Sequence, residues 1–390
     1  MPSHGAIQQN PKKSKSKDSH QQHLAPFTVK DIRDVIPDHC FERSVIKSGA
    51  YLLADFAMIA VLLYIGHYFN NNILPHSSWP VAILFWNVMW FMQGVVMTGV
   101  WVIGHECGHQ SFSKWKSVND TVGWVIHSAL LVPYHSWRIT HGMHHKNTSH
   151  MTRDQVFVPK TLSQVSGNGH EDIHNVISES PIGNLIQIFI AVTIGWPFYL
   201  ATNAWGQDYK GKASHFKPSS PMFKVTQKKD VIISNIGMVI VLSLVALFAY
   251  TYSFASAVKY YIIPYFWSNF WLVSITYLQH TDKRVPHFRG EEWNFIRGAL
   301  STIDRDYGIL NIFHHHIADT HVAHHLFSQM PHYHAQEATE CIKKVLGDYY
   351  MEDNTPPLKA LWKAWNTCHY VEDEGAVVYY QTVDFKKKQK

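Results

Sequence analysis

Two long apolar runs stand back to back near the start of this chain, residues 48–69 (SGAYLLADFAMIAVLLYIGHYF) and 79–104 (WPVAILFWNVMWFMQGVVMTGVWVIG). Each reaches the roughly 20 apolar residues that a helix needs to cross a hydrocarbon core. In lipid every backbone N–H and C=O must be satisfied inside the segment, so runs of this kind admit helices and little else. Composition agrees, since only 16% of the residues are charged, against about 25% in a soluble domain. A mean hydropathy of −0.14 shows that much of the chain nevertheless lies in water. The expectation is an all-α membrane protein, with a few spans beneath a large aqueous cap.

Charge sets the orientation. Loop 70–78 has no Lys or Arg, whereas the segment before it is rich in both. By the positive-inside rule the N-terminus is cytosolic and the loop lumenal. Residues 231–255 and 260–279 form a second pair of spans, closing near Lys259 and followed by Lys283 and Arg284. Residues 121–134 are too short to cross and end at a proline, so an interfacial or buried half-segment is expected. Residues 182–205 are long enough, but Lys146, Arg153 and Lys160 precede them and Lys210, Lys212 and Lys217 follow. Gly195-Trp196-Pro197 is also expected to break that helix in its middle. It should therefore dip into the membrane or lie on it. The sum is four transmembrane helices, with both termini and every polar part in the cytosol.

Residues 1–26 read as a disordered basic tail, with KKSKSK at 12–17 and no signal peptide. Residues 27–375 form the membrane domain. Residues 376–390 form a second tail, in which Lys387 and Lys388 fit the KKxx pattern of endoplasmic-reticulum retrieval. Asn119 and Asn147 fit the glycosylation sequon, but their cytosolic placement predicts that neither is used. Cys40, Cys107, Cys341 and Cys368 form no CxxC pair and read as reduced thiols. No basic helix or RNA-type motif points to nucleic acid. Asp55 lies inside the first apolar run, where a carboxylate is a functional candidate. It is only about two turns from the cytosolic end, so the simpler reading has it facing neighbouring helices.

The chain has 28 histidines. His105-Glu-Cys-Gly-His109, His141-Gly-Met-His144-His145 and His321-Val-Ala-His324-His325 form three boxes. Spacings of i, i+3 and i+4 put the rings of each box on one helix face. All three fall just beyond expected spans, on the cytosolic side. One such box is as readily an ordinary polar face, but three at one membrane depth point to metal. Neutral imidazole suits zinc, copper, iron and nickel, and a single zinc takes about four ligands. His280, at the end of the last span and at the depth of His105, is a ninth candidate; alone it reads more simply as a helix-end histidine facing the dipole. Eight or nine histidines can serve two metals with about five ligands each. Iron is the natural pair where oxygen is activated, although soluble di-iron bundles use mostly carboxylates. A metal transporter is the competing class, but transporters place their ligands near the bilayer midplane.

HECGH, HGMHH and HVAHH resemble the boxes of the membrane fatty acid desaturases. VPYHSWRITH (132–141), RDQVFVPK (153–160), RGALSTIDRDYGIL (297–310) and DTHVAHHLFSQMPHYHAQEAT (319–339) sharpen the likeness to the microsomal methyl-end group, closest to the delta-12 (oleate) desaturases. The likeness runs over about residues 27–375. Stearoyl-type delta-9 enzymes have a longer first box. Front-end enzymes open the third box with Gln and carry a fused cytochrome b5, and omega-3 enzymes often have Asp where this chain has Glu106.

The resemblance implies a histidine-rich di-iron site in a cytosolic helical cap, holding two iron ions with O2 as co-substrate. It implies electrons from NADH-cytochrome b5 reductase by way of a separate cytochrome b5. It also implies an oleoyl chain on a membrane phospholipid as substrate, and residence in the endoplasmic reticulum membrane. Omega-3 desaturation and oleate hydroxylation are the alternatives within the family, and a homo-oligomer is left open. Carried over, the ligands are His105, His109, His141, His144, His145, His280, His321, His324 and His325. The delta-9 enzymes' Asn four residues before the last of the span's histidines is Thr276 here, so that part does not transfer.

Ligating imidazoles need their second N–H fixed. Glu106, Asp154, Asp282, Asp304, Asp306 and Asp319 are the candidates, with Asp304 and Asp306 favoured because TIDRDYG is family-like. Otherwise these are solvated loop charges, with Asp319 and Thr320 capping the box helix. His315 matches a family histidine six residues before the third box and is expected to act beside the metals or the substrate. On one continuous helix His314 would face the box instead, but Asp319-Thr320 looks like a fresh helix start. His314 and His316 are then expected to tolerate replacement. A dry tunnel must hold the substrate in register, and the aromatic runs in 79–101 and 265–271 are candidates to line it.

Overall fold

The computed structural model describes residues 26–166 and 180–383, and all but the last residue of the expected N-terminal tail, together with the Lys387-Lys388 pair, lies outside them. The described chain is mostly helical, with loops between the helices and two short ribbons that pair Pro286–Phe288 with Val377–Tyr379 and Asp304–Arg305 with Glu352–Asp353. A short helix, α1 (Val29–Asp34), leads into two long ones, α2 (Val45–Asn72) and α3 (Trp79–Gly108). Next come α4 (Lys116–Ala129), α5 (Tyr134–Asn147), α6 (Pro181–Thr202) and α7 (Lys228–Thr251). Phe254–Ala257, a π-turn at Val258–Ile262 and α8 (Ile263–His280) follow as one rod. The cap then holds α9 (His321–Leu326), α10 (His332–Leu346) and α11 (Pro357–Thr367).

Four helices among the described residues are long and apolar enough to cross a membrane: Val45–His76, Trp79–Gly108, Pro181–Thr202 and Val225–Thr251. The count equals the expected four, but the membership differs. Pro181–Thr202 qualifies, while the expected last span does not. Its rod is interrupted by the π-turn, and α8 carries Ser268, Asn269, Ser274, Thr276 and Gln279. Most of those polar side chains are buried inside the bundle, so α8 is the core of the bundle and not its lipid face.

α3 and α8 run side by side in the same direction. The indole of Trp90 donates to the Lys259 carbonyl at 2.9 Å, and a Cβ at Gly94 would come within 2.3 Å of the Trp267 Cβ. Small residues let membrane helices approach this closely. The consequence is that His105 and His280 emerge together where the two helices enter the cap.

The expected break at Pro197 is absent, and α6 continues through it. Proline has no N–H for the carbonyl one turn earlier, that of Thr193. Asn269 of α8 fills the gap, donating its Nδ2 to the Thr193 carbonyl at 3.2 Å. Proline is tolerated inside a helix in apolar surroundings where a neighbouring helix satisfies the freed group in this way. Asn269→Ala should therefore cost about 1–3 kcal/mol, the cost of leaving a buried acceptor unpaired. Pro197→Ala should restore the backbone donor and remove most of that loss, as unfolding in detergent would register. An equal loss in both backgrounds would refute the assignment.

Residues 121–134 cover the end of α4, a turn and the first residue of α5. α4 ends at Ala129 and the chain turns at Leu131, whose φ is +54°, before Pro133 and α5. Trp124 donates to the Ile233 carbonyl of α7 at 2.9 Å, and a ring nitrogen of His127 lies 3.0 Å from the Trp101 carbonyl of α3. This packing fixes α5, which carries the second box, against the end of α3.

Candidate metal centre

All nine histidines singled out from the sequence meet in the cap. The first box closes α3, the second lies in the last two turns of α5, the third is the start of α9, and His280 ends α8. They divide into two clusters. His105, His109, His141, His145 and His324 each bring a ring nitrogen within 4.8 Å of the others. His144, His280 and His325 do the same, and His321 joins them, its Nε2 3.2 Å from His280 and 3.0 Å from His325. The stacked rings of His145 and His325, 4.2 Å apart, connect the two.

Each HxxHH box is shared between the clusters. In the second box His141 and His145 enter one cluster and His144 the other. In the third box His321 and His325 enter the second cluster, and His324 crosses to the first. The reason is helical: i+3 and i+4 lie on opposite sides of i, about 100° apart.

The chemistry of the donor set fits metal. Burial first, and neighbouring histidines second, hold His109, His141, His145, His321, His324 and His325 well below the usual imidazole range. They are therefore neutral, which is the ligating form. The Nε2 pairs His105–His109 and His141–His145 stand 3.2 and 3.1 Å apart. The Nε2 of His324 is buried with no partner among the described residues, a lone pair that a cation would satisfy. The clusters can hold metal ions.

Of the candidate carboxylates, Asp154 alone makes a hydrogen bond to a cluster imidazole. Its Oδ1 accepts from His144 Nδ1 at 2.6 Å, and the amides of Ser149 and Gln155 hold it at 2.7 and 2.6 Å. Thr148, which the sequence did not suggest, lies 3.1 Å from His325 Nδ1 through its hydroxyl. Glu106 is 3.6 Å from His105 Nδ1, beyond a hydrogen bond. It accepts instead from the Ser111 hydroxyl at 2.8 Å and the His332 amide at 3.0 Å, tying the first box to α10.

Asp304 accepts from the Val322 amide at 2.8 Å and from the Tyr350 hydroxyl. It thus caps α9, the task expected of Asp319 and Thr320, and burial pushes its carboxyl up to about 7. Thr320 bonds back to the His316 carbonyl and Asp319 pairs with the His316 ring at 2.9 Å. Asp306 does not reach the site. It is exposed and accepts from Gly308 N and Asn311 Nδ2, both at 2.7 Å, closing its own turn. Asp282 pairs with Arg284 and Arg305, each at 3.0 Å.

His315 is also outside both clusters. Its Nε2 lies 2.8 Å from the buried Asp55 carboxylate, which faces its neighbours as expected, and its ring sits 4.8 Å from that of His332. His315 and His316 have φ of +49° and +59°, so the chain before α9 is not one continuous helix and the expected fresh start is real. His314 is fully buried beside Trp271, 5.5 Å between rings; it is a bystander to the metals, yet its replacement disturbs packing.

An apolar cleft of about 820 Å³, part of it open to the outside, runs from both clusters between α6 and α8. His105 and His141 of one cluster and His144, His280 and His321 of the other form its inner end. Trp101 is the one lining residue from the first expected aromatic run, and none comes from 265–271; Trp137, Phe157, Trp196, Tyr199 and Trp205 supply the aromatic wall. An apolar, aromatic lining of this kind suits a hydrocarbon chain.

The fatty acid desaturase family model matches residues 77–357. The chain is 48% identical over 372 residues to the Delta(12) fatty acid desaturase of Mortierella isabellina, a match covering 92% of this chain and 91% of that protein. It is 46% identical to the Delta(12)-acyl-lipid-desaturase of Punica granatum and 45% identical to the omega-6 fatty acid desaturase, endoplasmic reticulum isozyme 1, of Glycine max. Each of those two matches covers 90% of this chain and 88% of the relative.

Proposed function

This chain belongs to the fatty acid desaturase family, an oxidoreductase family, and we propose that it inserts a cis double bond at carbon 12 of a phospholipid-borne oleoyl chain to give linoleoyl. The observation that carries the reading is the apolar cleft that ends at two adjoining imidazole clusters. Relatives named for the delta-12 reaction cover nearly the whole chain. The reaction balances as –CH2–CH2– with O2, two electrons and two protons giving –CH=CH– and two waters.

Two iron ions supply the reduction of O2 when bound. His105, His109, His141, His145 and His324 would hold one, and His144, His280, His321 and His325 the other. Asp154 keeps the Nδ1 proton on His144, which leaves Nε2 free as a ligand. The aromatic wall excludes water and holds the acyl chain in register, which matters because neighbouring methylenes are chemically alike.

The protein is membrane-associated, with four apolar helices. We place it in the endoplasmic reticulum with both termini cytosolic, receiving electrons from cytochrome b5. Both ends of α6 are held by the cap, Asn184 by Asn366 at 2.6 Å and Leu200 by the His215 amide at 2.9 Å. That supports α6 dipping without crossing. A terminal tag shielded from a cytosolic protease would refute the orientation, and microsomal activity indifferent to cytochrome b5 removal would refute the donor.

In a yeast that makes only monounsaturated fats, expression should yield linoleate. Trienes alone, hydroxy acids alone, or no product from a well-expressed chain would refute the assignment.

A further inference from the structure

We propose that His39, Cys40, His334 and Glu337 form a third metal site, for a single zinc ion, that clamps the N-terminal segment onto α10. One ligand atom from each of the four lies within 4.8 Å of the others, and none of the four belongs to either imidazole cluster. His39 and Cys40 lie on a short 3-10 turn, Asp38–Phe41, while His334 and Glu337 stand at i and i+3 on α10, neighbours on one helix face. His39 Nε2 is 2.8 Å from Glu337 Oε2 and 3.7 Å from Cys40 Sγ, and the His39 and His334 rings are 5.4 Å apart.

Tetrahedral zinc with bonds of about 2.0–2.3 Å sets its ligand atoms roughly 3.3–3.8 Å from one another. The sulfur already meets that spacing, and the His39–Glu337 contact needs to open by only about half an ångström. Two imidazoles, a thiolate and a carboxylate form a borderline-soft set that suits zinc. Four protein ligands leave no open position, which marks a structural site. The cysteine spacing gives no hint of it, because the second half of the ligand set lies about 300 residues away and contains no cysteine.

Entry and charge are consistent. The His39 and Glu337 side chains are 51% and 49% exposed, so an ion can enter from water. Cys40 is fully buried, and burial first, then Glu337, pushes its thiol up to about 11. Binding exchanges that proton for the cation: the S–H bond breaks, an S–Zn bond forms and the proton leaves to solvent. The nearby Arg33 cation is engaged by Asp38 at 2.6 Å and by the Ile36 carbonyl at 3.1 Å.

The clamp would act on the back of the third box. Ile32, Ile36 and Cys40 share an apolar cluster with Val322, Ala323 and Leu326 of α9. Holding the N-terminal segment on α10 thus holds the helix that carries His321, His324 and His325.

The test is metal analysis of the full chain, purified in detergent with its iron. One zinc per chain should survive dialysis, and Cys40→Ser and His334→Ala should each lose it while keeping iron. Because Cys40 is buried, Glu337→Gln, on an exposed residue, is the second variant, expected to weaken zinc retention about 10-fold or more. Cobalt(II) in place of zinc should give a thiolate-to-cobalt charge-transfer band that Cys40→Ser abolishes. Absence of both retained zinc and the band, or zinc that persists in all three variants, would overturn the proposal. Neither outcome bears on the desaturase reading, which is scored by iron and linoleate.

Discussion

Yeast expressing His324→Ala should make no linoleate above the vector background. His324 is the residue by which the third box reaches the first cluster, while its neighbours His321 and His325 face the second. Its Nε2 is buried without a partner among the described residues and lies in the first cluster, which leaves it available to ligate. The alanine variant leaves that cluster with four imidazoles from the first and second boxes alone and removes its one ligand from α9. Changing a group that merely orients a ligand typically costs 10–100-fold in affinity or activity, and losing the ligand itself should exceed about 100-fold. Iron per chain should fall with it. His316→Ala is the matched control, since His316 pairs with Asp319 at 2.9 Å and touches neither cluster. It should keep most of the wild-type conversion. Linoleate from His324→Ala at a tenth or more of the wild-type amount would remove His324 from the ligand set.

That control separates what the sequence made legible from what it did not. Box spacing alone put eight imidazoles on helix faces, and the charge pattern put those faces, and His280 with them, at one depth. The sharing of each box between clusters was hidden, because i+3 and i+4 diverge and only the packing of α3, α5, α8 and α9 decides which neighbour each meets. Asp306 was favoured on resemblance alone. Yet Asp306-Tyr307-Gly308 carries the local signature of an Asx turn, a signal that would have assigned its carboxylate to its own loop. Pro197 misled for a related reason: the rule that proline breaks a helix is local, and the donor that repairs the damage, Asn269, lies 76 residues away in sequence. Thr148 offered no pattern at all, since a single hydroxyl beside His325 becomes visible only when α5 and α9 are docked.

Asp154→Asn should lower linoleate formation by about 10–100-fold, the range for groups that orient a ligating histidine. Asp154 is buried and accepts four hydrogen bonds: Oδ1 from His144 Nδ1 and the Gln155 and Val156 amides, Oδ2 from the Ser149 amide. An ionised carboxylate can only accept, so the proton sits on His144 Nδ1 and Nε2 is left to bind metal. Asparagine has one acceptor oxygen. Turned toward His144, it sets its NH2 against the Ser149 amide; turned the other way, it presents a donor to His144 and favours the wrong tautomer. Either orientation weakens the second cluster without emptying it. Iron should therefore leave Asp154→Asn under a weak chelator while the wild-type chain retains it, with the first cluster less affected. Asp306→Asn, on an exposed turn, should change conversion little, as a surface substitution within about 0.5 kcal/mol would. If Asp154→Asn keeps both its iron and its linoleate, the carboxylate is holding the loop and not the ligand. In that case Ser149 and Gln155 are its real partners.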